Sequence, residues 1–249
     1  MSLPIQSWPI LETIRLIGLL AIQCITSYLV KQDRLKVNYS RKVIHFSQLL
    51  STLLINRTFF NYSIEYFIIS GSLSFAESLI FIEPIRKRVR FINFLFLSYD
   101  RPEDRPHTVR LATTQIIGMN IALITVAYLY ELSGAPLDLL ALPLLITAFG
   151  DGLAEPIGVR FGKHKYQAKD MIGNRVYTRS YEGSVMVFLT TIIALSIFNH
   201  LFSSNTLLCL LAILPLLMTI TEAHSPHTWD NPFLYLIGGL AIYVFVLLT

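Results

Sequence analysis

Long apolar segments alternate with short charged ones along the whole chain. Eight apolar segments can be marked, at residues 10–30, 43–55, 63–82, 111–130, 136–157, 183–199, 205–221 and 232–248. An α-helix of about 20 apolar residues crosses the hydrocarbon core of a bilayer. Only 14% of the 249 residues are charged and the mean hydropathy is +0.57, which excludes a disordered chain and an ordinary soluble domain. The pattern predicts an all-α, polytopic integral membrane protein with about eight transmembrane helices.

The basic residues indicate which way these helices run. Of the 20 Lys and Arg residues, 18 lie in the stretches 31–42, 83–110 and 160–182. Basic residues concentrate in cytoplasmic loops, and eight helices with an external N-terminus place all three stretches on that side. The net charge of +4 therefore indicates anionic lipid rather than nucleic acid as a partner. We expect a multi-pass membrane protein with its active site on the cytoplasmic face.

The organisation of the chain is simple, with no internal repeat and no low-complexity linker, which predicts a single domain over residues 1–249. Residues 83–98 combine basic side chains with an aromatic-rich apolar run, a pattern typical of a helix in the membrane interface. A further short membrane segment is the alternative. Charged residues inside apolar segments, such as Glu12 and Arg15, are near segment ends, where we expect their side chains to snorkel to the interface.

The cytoplasmic end of the fifth apolar segment carries the most informative residues. Asp151 and Glu155 are four apart and share one face of a helix. Two neighbouring carboxylates repel each other unless a cation neutralises them, and Mg²⁺, which keeps several waters and bridges substrate phosphates, suits such a pair. Glycines let a helix or ligand approach, and basic side chains bind polyphosphates. The glycines and basic residues that follow or flank this carboxylate pair in the sequence are Gly150, Gly152, Gly158, Gly162, Lys163, Lys165 and Arg179. The alternative is a solvated helix end with small-residue packing.

Three further patches lie on the same predicted side. Glu182, just before Gly183 and the sixth apolar segment, is expected either to cap that helix or to act as a third carboxylate at the metal or nucleotide. His45 can serve as a general base or bind phosphate, although a polar residue at the interface is the simpler reading. The other residues are Arg41 and Lys42 at the start of the second segment, and Glu222, Asp230 and Asn231 between the last two.

Taken together, the motifs resemble the CTP-dependent polyprenol kinase family, which includes dolichol, phytol and farnesol kinases and the CTP-dependent diacylglycerol kinase. The resemblance covers residues 41–231 through three motifs in the family's order. Its residues are Arg41, Lys42 and His45; Asp151, Ala154, Gly158, Gly162, Arg179, Glu182 and Gly183; and Glu222, Ser225, Pro226, Asp230 and Asn231. The family's basic pair is Thr178–Arg179 here, so one cation is missing, and Gly173–Asn174 indicate an extra turn.

The resemblance implies transfer of the γ-phosphoryl group of CTP to the hydroxyl of a membrane lipid alcohol, such as a polyprenol or phytol, giving a lipid monophosphate. Such a reaction demands positioning and charge neutralisation. The implied Mg²⁺ ligands are Asp151 and Glu155, with Glu182 as a possible third. The implied nucleotide-binding residues are Arg41, Lys42, Gly158, Gly162, Lys163, Lys165, Arg179, Gly183 and Asn231. Glu222, Asp230 and His45 are candidates for orienting the hydroxyl or taking its proton.

Two other functions remain open for a chain of this kind. A phosphatidate cytidylyltransferase would attack the α-phosphorus of CTP and make a CDP-lipid, but its long acidic signature near the C-terminus is missing from this sequence. A membrane transporter would line a pathway with charges near the bilayer midplane. Here the charges gather at one predicted face and no inverted repeat is evident, so the kinase is the favoured prediction.

Overall fold

The computed structural model describes residues 7–60, 62–169, 176–226 and 228–248, with the backbone alone at position 169. It is 83% helical and divides into two compact units, Met1–Ile117 and Gly118–Thr249. All eight apolar segments marked in the sequence are helical. The predicted single domain stays a prediction, and Gly173–Asn174 lie outside the described residues.

The first unit is built from five helices and the beginning of a sixth. Its elements are α1 (Trp8–Lys31), α2 (Val37–Ile55) with a π-helical turn (Asn56–Phe60), α3 (Ile64–Ile80), α4 (Glu83–Arg88), α5 (Arg90–Phe96), a 3-10 turn (Pro102–Asp104) and the start of α6 (Thr108–Ser133). The segment predicted to lie in the interface thus forms two short helices, α4 and α5, joined through extended backbone at Val89. Its position in a membrane interface stays a prediction.

The second unit contains the rest of α6, four further long or medium helices and a β-hairpin. Its elements are a 3-10 turn (Leu137–Leu140), α7 (Ala141–Leu145), a π-helical turn (Ile146–Asp151), α8 (Gly152–Phe161), β1 (Lys165–Lys169), β2 (Val176–Ser180), α9 (Tyr181–Ile197), a 3-10 turn (Asn199–Leu201), α10 (Ser204–His224) and α11 (Asp230–Leu248). Helix α9 packs against α8 and α10, and α10 packs against α11. The core of this unit is apolar, with Val187, Leu210, Leu214 and Leu234 fully buried.

Five helical stretches among the described residues are long and apolar enough to cross a membrane. They are Trp8–Lys31, Thr108–Ser133, Leu137–Phe161, Ser204–His224 and Asp230–Leu248. The chain is therefore a multi-pass membrane protein, as the hydropathy predicts. The count of eight spans stays a prediction, since α3 and α9, with 17 residues each, are shorter than these five stretches. Helix α2 has 19 residues, but Arg41 and Lys42 in its first turns make it less apolar.

Among the residues that the structure describes, the β-hairpin is the one departure from the predicted all-α fold. Strands β1 and β2 pair antiparallel, with Tyr166 opposite Arg179 and Lys165 opposite Ser180. Exposed and less exposed residues alternate along β2 from Val176 to Ser180, as the period of two in a strand requires. The alternation is short and lies in a basic stretch between apolar segments, so a prediction based on apolar segments does not detect this hairpin.

Buried charge in the first unit is neutralised within the protein. Glu12 and Arg15 are 1% and 4% exposed, and Arg15 Nη2 lies 2.8 Å from Glu12 Oε2. The hydroxyl of Tyr66 donates to Glu12, and Arg15 Nη1 lies 3.4 Å from Thr52 Oγ1. The expectation that these two side chains snorkel to the interface is wrong, because both are buried in the helix packing, where each neutralises the charge of the other.

Candidate functional site

A buried arginine is the centre of the polar interior of the second unit. Arg179, on β2, places Nη1 at 3.2 Å from Glu222 Oε1 on α10 and Nη2 at 3.4 Å from Asp230 Oδ2 on α11. Nη1 also donates to the backbone carbonyl of Glu222. The three side chains are only 12%, 6% and 15% exposed. One guanidinium therefore ties the hairpin to the facing ends of two membrane-length helices.

Two hydroxyl groups complete the environment of Glu222. Ser184 Oγ on α9 donates to Glu222 Oε2 at 2.8 Å, and the hydroxyl of Tyr166 on β1 lies 2.8 Å from Ser184 Oγ and 3.4 Å from Glu222 Oε2. Both oxygens of the carboxylate thus have partners. Buried carboxylates are tolerated only when they are paired and hydrogen-bonded in this way.

Asp151 is the third carboxylate of this region. It ends the π-helical turn that precedes α8 and is 6% exposed, and it interacts electrostatically with both Arg179 and Glu222. We call the set of Asp151, Tyr166, Arg179, Ser184, Glu222 and Asp230 the Arg179 cluster. π-Helical turns often occur at functional sites, so this turn is a structural pointer that hydropathy alone does not supply.

Electrostatics keep the arginine charged and the tyrosine neutral. Burial acts to lower the pKa of Arg179, but Asp230 and Glu222 outweigh it and raise that pKa above its ordinary value. Burial and the nearby Glu222 raise the pKa of Tyr166, whose phenol remains protonated at neutral pH. Three carboxylates around one guanidinium give the Arg179 cluster a formal charge of −2.

Glu182 binds a neighbouring loop instead of capping α9. The cap is Ser180, whose Oγ accepts from the backbone N–H of Gly183 at 3.1 Å. The Glu182 carboxylate accepts from the backbone N–H of His164 at 3.2 Å, and its Oε1 lies 2.9 Å from His164 Nδ1. Its own backbone N–H and the His164 side chain hold the pKa of Glu182 at about 2. A role for Glu182 as a metal ligand stays a prediction.

The contact between Glu182 and His164 is expected to weaken in acid. The folded pKa of Glu182 lies below the ordinary value of 4.5, so its stabilising effect is complete above that value and is lost as the pH falls toward about 2. Hydrogen–deuterium exchange of the backbone at residues 163–166, corrected for intrinsic rates, should accelerate over this range. Glu182→Gln should exchange rapidly at every pH. An unchanged acid dependence in that variant would assign the transition to another group.

The predicted glycines lie where α8 meets the beginning of α9. A Cβ atom on Gly183 would lie 2.7 Å from the carbonyl oxygen of Ala154, and one on Gly158 would lie 2.7 Å from Ser180 Oγ. A Cβ atom on Gly162 would lie 2.7 Å from Ser180 Cβ. The space that a side chain would fill is occupied by the protein itself, which accounts for these glycines by close packing. Their role in nucleotide binding stays a prediction.

Gly183→Ala is expected to lower the free energy of unfolding by about 1–3 kcal/mol, because the added methyl group overpacks the contact between α8 and α9. Gly18→Ala is the matched control, since nothing lies within 4 Å of its Cβ position on α1. That substitution should be neutral or mildly stabilising. Thermal unfolding in detergent measures both, and equal melting temperatures would contradict the packing role.

The two predicted lysines do not join the Arg179 cluster. Lys163 and Lys165 are exposed, and Lys165 alternates with Tyr166 along β1, so its side chain leaves the opposite face of the hairpin. Glu155, one turn after Asp151, is half-buried on α8. The use of these residues for triphosphate and metal stays a prediction, and of the predicted cations in this unit only Arg179 lies inside the cluster.

Asn231 is buried beside the cluster. It is 7% exposed, and its Oδ1 has no hydrogen-bond partner among the described residues, while its backbone N–H donates to Asp230 Oδ1 at 3.1 Å. Buried acceptors without a partner are rare and costly. This atom is therefore available to a donor group of a ligand, which fits the predicted binding role of Asn231.

The N-terminal signature belongs to the first unit and has its own partners there. Arg41 Nη1 lies 3.0 Å from Asp104 Oδ2, and Asp104 is 1% exposed and also paired with Arg101 at 2.9 Å. Lys42 and His45 are half-buried on α2. These ion pairs fix the loop after α5 against the beginning of α2, and a role of the three residues in nucleotide binding or proton transfer stays a prediction.

The predicted Mg²⁺ can be tested against the residues present. The described residues contain no group of three His, Cys, Asp or Glu side chains arranged to hold a metal ion. Mg²⁺ does not require one, because it is commonly held by one or two carboxylates together with water and substrate phosphates. Asp151 and Glu155 are the carboxylates that would hold Mg²⁺ together with a nucleotide, and their use as metal ligands stays a prediction.

Sequence reasoning missed Tyr166 and Ser184. Both follow residues that it did select, since Tyr166 succeeds Lys165 and Ser184 succeeds Gly183. The usable signal for Tyr166 is the two-residue alternation of the hairpin, which places it opposite Arg179. Ser184 gives no local signal, because its partner Glu222 is 38 residues away.

Comparison with known proteins adds no relative, since no protein-family model, curated protein or solved structure matches the chain.

Proposed function

We propose that the protein is a membrane-embedded kinase of the CTP-dependent polyprenol kinase type. It transfers the γ-phosphoryl group of CTP to the hydroxyl of a lipid alcohol and releases CDP. The observation that supports this most is the convergence of separate motifs on one guanidinium. Asp151, Arg179, Glu222 and Asp230 come from distant stretches of the chain and meet in the Arg179 cluster.

The charge of the cluster suits phosphoryl transfer. A nucleoside triphosphate is strongly anionic and would be repelled by Asp151, Glu222 and Asp230 without a counterion. Mg²⁺ held by Asp151 and Glu155 would supply that neutralisation at the β- and γ-phosphates. Arg179 contributes a fixed cation, and its position is set by two carboxylates and a carbonyl. We assign Lys163, in the loop before β1, to the triphosphate, whereas Lys165 lies on the opposite face of the hairpin and contributes only longer-range positive charge.

The acceptor hydroxyl needs orientation more than deprotonation, because the transition state of phosphoryl transfer is largely dissociative. Both oxygens of Glu222 have partners in the cluster, so we assign Glu222 to positioning Arg179 and Tyr166. Asp230 begins α11 and faces Arg179 across 3.4 Å. We assign Asp230 to the acceptor hydroxyl and Asn231 to a donor group of the nucleotide. Helices α10 and α11 offer apolar surface for the chain of the alcohol.

The test uses the full-length protein reconstituted in lipid vesicles with Mg²⁺. Each of ATP, GTP, CTP and UTP, labelled at the γ-phosphate, is incubated with a panel of lipid alcohols: farnesol, phytol, a dolichol and a diacylglycerol. We expect label from CTP in an organic-extractable lipid monophosphate for at least one alcohol. Absence of transfer from every nucleotide to every alcohol, in protein shown to be folded, would rule the proposal out.

A further inference from the structure

A groove in the first unit is lined by none of the residues assigned to the kinase site. Its volume is about 410 Å³, and it lies between the end of α3, the helix α4 and the beginning of α6. Its lining includes Arg86, His107 and Arg110 together with the apolar Leu79, Ile82 and Val109. A concave surface that combines a few convergent polar groups with apolar walls is typical of a small-molecule site.

The polar part of the groove favours an anion. Arg86 and Arg110 each carry a permanent charge, and His107 adds a ring N–H donor. Glu83 is the one acidic residue among the described lining residues, and it is paired with Lys87 at 2.6 Å. Lys87 thus offsets the charge of Glu83, and the arginines leave the groove positive. Guanidinium groups bind phosphate oxygens through charge-assisted hydrogen bonds.

Arg86 is held in place before any ligand arrives. Its guanidinium carbon lies 3.8 Å from the centroid of the Phe96 ring, a cation–π contact. Its Nε is buried and has no hydrogen-bond partner among the described residues. A stacked arginine with an unused donor loses little side-chain entropy when it binds an anion.

The apolar part of the groove favours an anion that carries a lipid chain. Leu79 and Ile82 are 41% and 38% exposed and offer apolar surface beside the two arginines. The groove opens at the first turns of α6, which is long and apolar enough to cross a membrane. Basic pockets at the ends of transmembrane helices bind anionic headgroups, and an apolar wall beside such a pocket suits an acyl chain.

We propose that this groove binds the headgroup of an anionic phospholipid, with its phosphate on Arg86 and Arg110 and its acyl chain along Leu79 and Ile82. The site is independent of the kinase proposal. A free phosphate shares the headgroup chemistry but would leave the apolar wall exposed, and a zwitterionic phospholipid would bring its cationic choline against the arginines.

The full-length protein in a mild nonionic detergent is titrated with dioctanoyl phosphatidylglycerol, dioctanoyl phosphatidylcholine or inorganic phosphate, and bound lipid is counted by native mass spectrometry. The wild-type protein should bind phosphatidylglycerol at least tenfold more tightly than phosphatidylcholine. Inorganic phosphate, at the concentrations at which phosphatidylglycerol binds, should not displace phosphatidylglycerol from the protein. Equal affinity of the wild-type protein for the two lipids would overturn the proposal. Displacement of phosphatidylglycerol by inorganic phosphate at a similar concentration would also overturn it.

A pair of double variants locates the site. Arg86→Gln with Arg110→Gln removes two charges from the groove, and Arg88→Gln with Arg90→Gln removes two from exposed positions of the same segment. The groove variant should lose at least tenfold in affinity for phosphatidylglycerol, and the control variant less than twofold. Equal losses would show a diffuse attraction to basic charge and would overturn the assignment to the groove.

Discussion

Asp151→Asn is expected to lower the rate of phosphoryl transfer by at least about a hundredfold while the protein remains folded and inserted in the membrane. The substitution keeps the size and hydrogen-bonding capacity of the side chain but removes its charge. If Asp151 holds Mg²⁺ against the triphosphate, that charge is needed for the reaction. The measurement is kcat in reconstituted vesicles, with melting temperature as the readout of folding.

Asp138→Asn is the matched control for this result. Asp138 begins the same helical stretch, Leu137–Phe161, that contains Asp151, and it is exposed. The control should keep full activity. If Asp151 had a purely structural role, the Asp151→Asn protein would have a lower melting temperature and a nearly unchanged kcat. A well-folded Asp151→Asn protein with normal kcat would show that Asp151 does not belong to the site.

Arg179→Met should lower the free energy of unfolding by about 3–5 kcal/mol, because removal of one partner leaves buried charges uncompensated. Glu222 and Asp230 both lose their cation, and their side chains are only 6% and 15% exposed. Lys165→Met, on the opposite face of the same hairpin, removes the same charge from an exposed position and should be nearly neutral. Thermal and denaturant unfolding in detergent measure both variants.

A second substitution separates the loss of the ion pair from a general disruption of the hairpin. Adding Glu222→Gln to Arg179→Met removes one of the stranded charges and should recover part of the lost stability, since the two side chains are coupled. Additive losses in the double variant, or a stability of Arg179→Met equal to that of Lys165→Met, would contradict the central position of Arg179.

Hydropathy and charge spacing predict much of this protein because they are local. Each apolar segment in the sequence forms helix, and the residues singled out at 151, 179, 222 and 230 meet in one cluster. The count of spans was less predictable. An apolar segment shows that a helix is buried in lipid or protein. The 17 residues of α3 and α9 are at the lower end of the lengths that cross a bilayer, so the count of eight spans stays a prediction.

The remaining features depend on partners far away in the chain. Whether Glu12 reaches water or pairs with Arg15 inside the protein is decided by Tyr66, 54 residues later. The glycines at 158 and 183 suggest either a ligand or a close helix contact, and only the position of Ala154 and Ser180 shows that protein fills that space. Periodicity and composition carry no information about such tertiary contacts.

The position of the transferred phosphorus tests the central claim most directly. Reconstituted protein, Mg²⁺ and the best lipid alcohol are incubated in parallel with CTP labelled at the γ-phosphorus and CTP labelled at the α-phosphorus, with and without phosphatidic acid. A kinase places γ-label in a lipid monophosphate and leaves α-label in aqueous CDP. If α-label enters the lipid, and only when phosphatidic acid is supplied, the protein makes a CDP-lipid and the kinase account is wrong.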